Sequence, residues 1–442
     1  VRLKKAISLL SLLCISLSVH GADLLEVYRL AQHNDPTFEA ARYTYEAAQE
    51  KIPQARAGLL PVVNLNGSGN DTHGTSKFTN YPEVNRDVRA WTWTLQLTQP
   101  LLRPQTLYAY RESNSLVEEA HATYAQAEQD LILRVAQVYL DVLVAQKNIE
   151  VAESQLRSTG EQLALVKRGY ETGANAITDV DEAKSRADLA RSQRIAALNE
   201  LEAKRAELDK VVGQSPQTLA DLQPAVVVPG LQPDDPKAWI EQARQNNPAV
   251  LAPQAALQAA EIEISRNRAE YLPTLDMVAS MGQNYSSGSL NVPSDYATHA
   301  KSSLAGIQLT LPLFAGGATR SRVTEAVANK NRAAAELEVA RRQAATDARQ
   351  AYSAVISGLA QIEALESAVE SSKSAVKGNK VGYNLGIRMN IDVLNAEQQL
   401  YTAQRDWVKA RYDTLFQGLK LKAAAGALTE EDVLTVNGFF RE

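Results

Sequence analysis

Two spacings of apolar residues divide this chain. From Ala90 to Thr98, Trp91, Trp93, Leu95 and Leu97 alternate with Thr92, Thr94, Gln96 and Thr98, and upstream Val63 and Leu65 alternate with Asn64, Asn66 and Ser68. The pattern returns with Leu275, Met277, Ala279 and Met281, then with Ile307, Leu309 and Leu311 set against Gln308 and Thr310. A period of two with one apolar face predicts half-buried strands. A soluble sheet packed on a helix would satisfy it. A membrane sheet satisfies it better, because each run approaches the about 9–11 residues of a tilted membrane strand and tryptophans suit a bilayer interface. The hydroxyls and amides opposite suit a wet lumen.

The other spacing is helical. Leu131, Val135, Val138, Val142, Ala145, Ile149, Ala152, Leu156, Thr159, Leu163, Val166 and Tyr170 step by four and three. Ala348, Ala351, Val355, Gly358, Ile362, Leu365, Val369, Ser372 and Val376 repeat that register. A stripe of period 3.5 predicts helices supercoiling about one another. Proline, which helix interiors tolerate least, is absent between Pro104 and Pro216 and after Pro312. A helix over 105–168 would then be roughly 95 Å long. Gly169 to Asn175 breaks it, a return helix runs from Thr178 to Val212, and Gly378 to Met389 with a return to Ala425 does the same later. Each stretch predicts an antiparallel helical hairpin whose stripe is packing.

The chain is one unit written twice. Asn34-Asp35-Pro36 meets Asn246-Asn247-Pro248 at an offset of 212, as do Leu60-Pro61 with Leu272-Pro273 and Gln96-Leu97-Thr98 with Gln308-Leu309-Thr310. At 213, Tyr139 meets Tyr352, Gly169-Tyr170 meets Gly382-Tyr383, and Asp179-Val180 meets Asp392-Val393. The predicted organisation is a leader over 1–21 and a first repeat over 22–223, with strand pair 61–98 and helical hairpin 105–212. A second repeat covers 224–442, with strand pair 273–313, hairpin 317–425 and a C-terminal equatorial segment. Gly213 to Pro236, with five prolines, reads as the linker.

Four strands cannot close a barrel, for which about eight is the practical minimum. An open edge in lipid leaves backbone groups unsatisfied at several kcal/mol each. The strands must therefore be pooled between copies. Eight would be filled by side chains, whereas twelve, from a trimer, leave room for a pore. The polar stretches Asn70 to Asp87 and Asn284 to Ser302 are expected as long outer loops.

Composition narrows the class. Arg2, Lys4 and Lys5 followed by apolar Ala6 to Val19 form a secretory leader too short to span a bilayer. Leu13 stands before Cys14, the single cysteine, where lipid attachment requires a small residue. The net charge of −5 becomes about −8 without the leader's three basic residues, which argues against a nucleic-acid partner. His33, His73, His121 and His299 are scattered, with no metal-ligand spacing. No phosphate loop or nucleophile motif occurs, so no enzyme, cofactor or metal centre is expected.

Leader, tandem repeat, strand pairs and hairpins together resemble the TolC family of outer-membrane channel-tunnels across essentially the whole mature chain. Ala176-Ile177-Thr178-Asp179-Val180 carries the likeness at the first turn. Gly382-Tyr383, Gly386, Arg388 and Asp392-Val393-Leu394 carry it at the second. The resemblance implies a mainly α protein with a membrane β part. A homotrimer would set a 12-strand barrel in the outer membrane of a Gram-negative bacterium and an α-barrel in the periplasm. A periplasmic adaptor and an inner-membrane ABC or proton-driven transporter would recruit it as a passive duct for efflux or type I secretion.

It further implies that Thr178 and Asp179 lie on one side, and Tyr383 and Arg388 on the other, of polar links that close the periplasmic tip. Asp392 falls on a constricting aspartate ring. A second ring falls on Asn395, an asparagine, which weakens the expectation of cation selectivity. A plainer reading has Asp179 and Asp392 stabilising helix starts, with Thr178 and Asn390 as caps. Arg388 stands out, since its first-half counterpart is Asn175. The rival to a duct is a periplasmic coiled-coil spacer or adaptor without a pore, for which the alternation of Trp91 to Thr98 has no use.

Overall fold

The computed structural model describes residues 21–214, 216, 218–223, 226, 228–292 and 296–440. The leader expected over 1–21, with Cys14, lies outside the described residues except for Gly21. The described residues form two compact units, one of residues 41–126 and 248–343 and one of the other described residues.

The first unit is built on a four-stranded antiparallel sheet ordered β1-β2-β3-β4. Its strands are β1 (Val62–Ser76), β2 (Val84–Leu102), β3 (Thr274–Ser286) and β4 (Thr298–Thr310). β1 and β2 pair with Val62 opposite Thr98, and β3 and β4 with Thr274 opposite Thr310. These registers differ only by the 212-residue repeat offset, so the two hairpins are one object built twice. They join through β2 and β3, where Trp91 faces Tyr285 and Leu97 faces Ala279. The odd-numbered residues of all four strands share a face, which gathers Val63, Leu65, Trp91, Trp93, Leu95, Leu97, Met277, Met281, Ile307 and Leu309. Trp91 and Tyr285 stack at 5.8 Å, and Tyr285 meets His299 at 4.7 Å, so an aromatic row crosses three strands. The Arg103 guanidinium donates to both Asp276 oxygens at 2.8 Å and fastens the end of β2 to the start of β3.

The first outer loop is shorter than its composition suggests. β1 continues to Ser76 and β2 begins at Val84, so most of 70–87 is ladder and only 77–83 connects. Strand pairing is a backbone property and continues where both faces have turned polar. The second connection is held by Arg86, whose Nη1 donates to the carbonyls of Ser289 (2.7 Å) and Val292 (2.8 Å).

The helices, in chain order, are α1 (Leu24–Asn34), α2 (Pro36–Gln49), α3 (Lys51–Ala57), α4 (Pro104–Glu171) and α5 (Ile177–Val212). They continue as α6 (Pro236–Asn246), α7 (Pro248–Arg268), α8 (Ala318–Asn384), α9 (Asn390–Ala424) and α10 (Glu430–Asn437). α4, with 68 residues, runs about 100 Å, and α8 has 67. No helix among the described residues is long and apolar enough to cross a membrane.

In the second unit α4 and α5, and α8 and α9, form the two hairpins. The stripe of α4 is buried at Leu131, Val135, Val142, Ala145, Ala152, Thr159 and Val166. On α5, Ala183, Ala190 and Ala197 recur every seventh residue and let that helix approach closely, followed by Leu201 and Leu208. The ends of the return helices are tied by asparagines: Asn34 Nδ2 donates to Val212 O (3.0 Å) and Asn247 Nδ2 to Ala424 O (2.7 Å). Tyr139, fully buried, donates to Ala220 O at 2.8 Å and meets Phe440 edge-on at 5.3 Å. Burial pushes its hydroxyl pKa well up, so it stays a neutral donor.

Candidate functional site at the hairpin turns

Both turns are the same construction. Each long helix ends on a glycine of positive φ, Gly173 at 77° and Gly386 at 74°, a conformation that penalises any residue with a Cβ. Backbone closure repeats as well: Ala174 N–H donates to Gly169 O at 2.7 Å and Ile387 N–H to Gly382 O at 2.9 Å. A Cβ on Gly169 would collide with the Asn175 side chain, and one on Gly382 would come within 2.7 Å of Arg388 Cγ. Asn175 and Arg388 thus lie over matching glycines, and the repeat keeps the seat while changing its occupant.

Each return helix then starts on an extended residue, Ala176 or Met389. The Asp179 carboxylate accepts the Ala176 N–H at 3.1 Å, and Asp392 accepts the Met389 N–H at 3.2 Å. The two aspartates do stabilise helix starts. Thr178 and Asn390, however, are not the caps, because the cap positions are Ala176 and Met389, two and one residues before them, and each aspartate reaches back to that position.

The sequence-derived gate residues are only partly brought together within one chain. Tyr383 packs against Val166, Val180 and Ala183 of the first hairpin, and its hydroxyl accepts a hydrogen bond from Asn175 Nδ2 at 2.9 Å. Arg388 lies 4.0 Å from Asp392 on its own hairpin. Asn395 accepts from Arg186 of the first hairpin at 3.0 Å. Among the described residues, no hydrogen bond or ion pair joins Thr178 or Asp179 to Tyr383 or Arg388.

A second polar link lies deeper, beside the apolar stripe and not marked by it. Gln162 Nε2 donates to Asn390 Oδ1 at 2.7 Å, and Gln155 Nε2 to Gln398 Oε1 at 3.0 Å. Between them Glu397, only 2% exposed, accepts from Ser158 and pairs with Lys380 Nζ at 2.7 Å. Tyr401 donates to Ser154 O at 3.1 Å. Heptad counting assigns α4 one packing stripe, but α4 faces both its own return helix and α9, so Gln155 and Gln162 are buried beside that stripe. A signal was present. The first-half counterpart of Glu397 is Lys184, a reversal of charge between repeats, the same asymmetry that marks Arg388.

Trp91, Trp93, Leu95, Leu97, Ile307 and Leu309 thus share one sheet face, while Thr178, Asp179, Tyr383, Arg388, Asp392 and Asn395 lie at or near the two matched turns. No group of three or more histidine, cysteine, aspartate or glutamate side chains among the described residues is arranged to hold a metal ion.

Known proteins share this architecture. The family model described as "Outer membrane efflux protein" matches residues 27–214 and again 239–427, one match per repeat. The chain is 34% identical to the alkaline protease secretion protein AprF of Pseudomonas aeruginosa, over 94% of this chain and 87% of that one. It is 31% identical to the proteases secretion protein PrtF of Dickeya chrysanthemi, over 97% and 95%. It is 30% identical to the outer membrane protein TolC of Vibrio cholerae, over 96% and 95%. Among solved structures, the outer membrane protein VceC of Vibrio cholerae superposes with a TM-score of 0.76 at 20% identity, covering 91% of this chain and 96% of that one.

Proposed function

This chain belongs to the outer membrane efflux protein family, and we propose that three copies of it pool their strands into a twelve-strand pore whose closed end is the hairpin turns. It is an outer-membrane channel of Gram-negative efflux or secretion and not an enzyme. The observation that carries the trimer is the sheet: four strands with an apolar face, a polar face and two edges without a partner among the described residues. Lipid tolerates no open edge, and three copies are the smallest closed set that leaves a lumen. The polar face, with Asn64, Asn66, Thr94, Gln96 and Gln308, lines that lumen.

The helical hairpins form the periplasmic part, met by an adaptor protein and by an inner-membrane ABC or proton-driven transporter. Resemblance to AprF and PrtF supports an exported protease as cargo. At the tip, Asn175 and Tyr383 link the two hairpins of one chain, while Thr178, Asp179 and Arg388 face neighbouring chains. Asp392 supplies the constriction's charge, and Asn395 leaves the adjoining position neutral.

Single-channel recording in planar bilayers tests this. The trimer gives discrete steps of low conductance. Asp392→Ala shifts ion selectivity away from cations, since three carboxylates leave one ring. Arg388→Ala raises conductance by loosening the closed tip. Steps indifferent to both substitutions would keep the duct and remove this gate. Folded, trimeric protein that gives no steps would leave the spacer.

A further inference from the structure

We propose that the connection leaving β3, residues 287–292, is a strap folded across the lumen face at the outer mouth, where it makes a second constriction besides the one at the hairpin turns. This rests on the pooled barrel proposed above, in which the even-numbered strand residues face the lumen. Burial shows that something lies on that face. Along β2, Arg86, Val88 and Ala90 are partly covered, while Asn85, Asp87 and Arg89 between them are exposed. Across the ladder on β1, Ser76 is 7% exposed and Gly74 is partly covered, against exposed Asp71, His73 and Thr75. A ribbon with water on both faces would show no such alternation. The cover is local, because Thr92 on β2 and Thr72 on β1, next along the same face, are exposed again.

The covering atoms belong to the strap. Ser287 still pairs with β2, its N–H donating to Arg89 O and its Oγ accepting the Arg89 N–H, each at 2.9 Å. The chain then turns: Ser286 Oγ donates to Gly288 O at 2.6 Å, and Gly288 is buried. Beyond it the Arg86 guanidinium holds the Ser289 and Val292 carbonyls through one nitrogen, at 2.7 and 2.8 Å. Leu290 crosses as far as β1, where a Cβ on Gly74 would come within 3.1 Å of its Cδ1. Charge-assisted hydrogen bonds are stronger than neutral ones, and these two hold main chain, so the pin does not depend on the strap's own side chains. Arg86 is the only basic residue at an even-numbered position of the four strands. The 212-residue offset puts Thr298 where Arg86 would recur, so the repeats differ at this point as they do at Arg388. In a trimer, three straps ring the mouth.

Thiol labelling from outside intact cells, with reagents of two sizes, tests the strap. Cys14 is the single cysteine, so Ser280→Cys in a Cys14→Ser background gives one reporter per chain, opposite Gln96 on the even-numbered face. The probes are a small charged methanethiosulfonate and a maleimide carried on a bulky polymer. With Arg86 present, the expected result is prompt labelling by the small reagent and slow labelling by the polymer. Arg86→Ala should speed the polymer several-fold and leave the small reagent unchanged. Arg86→Lys, whose ammonium can still donate to both carbonyls, should stay close to the parent, which separates loss of the pin from damage to the fold. Polymer labelling at one rate in all three proteins overturns the strap as a constriction and leaves the pore standing. A reporter that neither reagent reaches, in folded and trimeric protein, shows that the even-numbered face is not the lumen and overturns the pore reading along with the strap.

Discussion

Arginine at position 307 is expected to keep this protein out of the outer membrane, and arginine at 308 is not. The two residues are neighbours on β4 and differ only in the face they occupy. Ile307 shares its face with Trp91, Trp93, Leu95 and Leu97, and Gln308 shares the other with Gln96 and Ser280 across the sheet. A lipid-facing arginine near the bilayer midplane costs about 2–4 kcal/mol, so a trimer carrying three loses roughly 6–12 kcal/mol, comparable to the whole stability of many domains. On the lumen face the guanidinium stays in water and costs little. The measurement is the amount of each variant in washed outer membranes relative to the parent. Equal accumulation of Ile307→Arg and Gln308→Arg would mean that the odd-numbered face does not contact lipid.

The second large effect concerns the buried link between hairpins. Lys380→Met removes the cation facing Glu397 and leaves a carboxylate that is 2% exposed with Ser158 as its remaining partner. Breaking a buried pair from one side costs about 3–5 kcal/mol when both groups are deep. Lys380 is itself 43% exposed, so the cost falls below that range, at about 2–3 kcal/mol. Removing the charge as well, in Lys380→Met with Glu397→Gln, should recover most of the loss, because an amide is far less costly to bury than an unpaired carboxylate. Limited proteolysis at the turns and thermal unfolding of the trimer measure both variants. A double variant as unstable as the single one would show that packing of the lysine stem, not charge pairing, holds this point.

The strands and long helices were legible because each is governed by a local rule that leaves a periodic trace. Alternation from Trp91 to Thr98 marks a two-faced strand, and the proline-free stretch with its heptad stripe marks α4. The internal repeat then placed the second copy of each. What escaped depends on neighbours that a stripe does not name. Gln155, Ser158 and Gln162 are polar residues beside an apolar seam, and only the approach of α9 turns them into partners of Gln398, Glu397 and Asn390. The caps of the return helices were misassigned for a related reason. Thr178 and Asn390 have the chemistry of caps, yet aspartates three residues along from Ala176 and Met389 do the stabilising. The outer ladder of β1 and β2 went unread because, beyond the apolar band, both faces are polar and alternation has nothing to alternate.

The joint between β2 and β3 also sets a timetable for folding. Thr92 hydrogen-bonds to Gln283, 191 residues further along the chain. At about 5–20 residues per second, the first hairpin waits on the order of 10–40 s during synthesis before its neighbour exists. A lone two-stranded ribbon is marginal in water, and an apolar one with a free edge invites aggregation. Until β3 is available β2 therefore keeps one edge unpaired, and the protection of that edge depends on the second repeat.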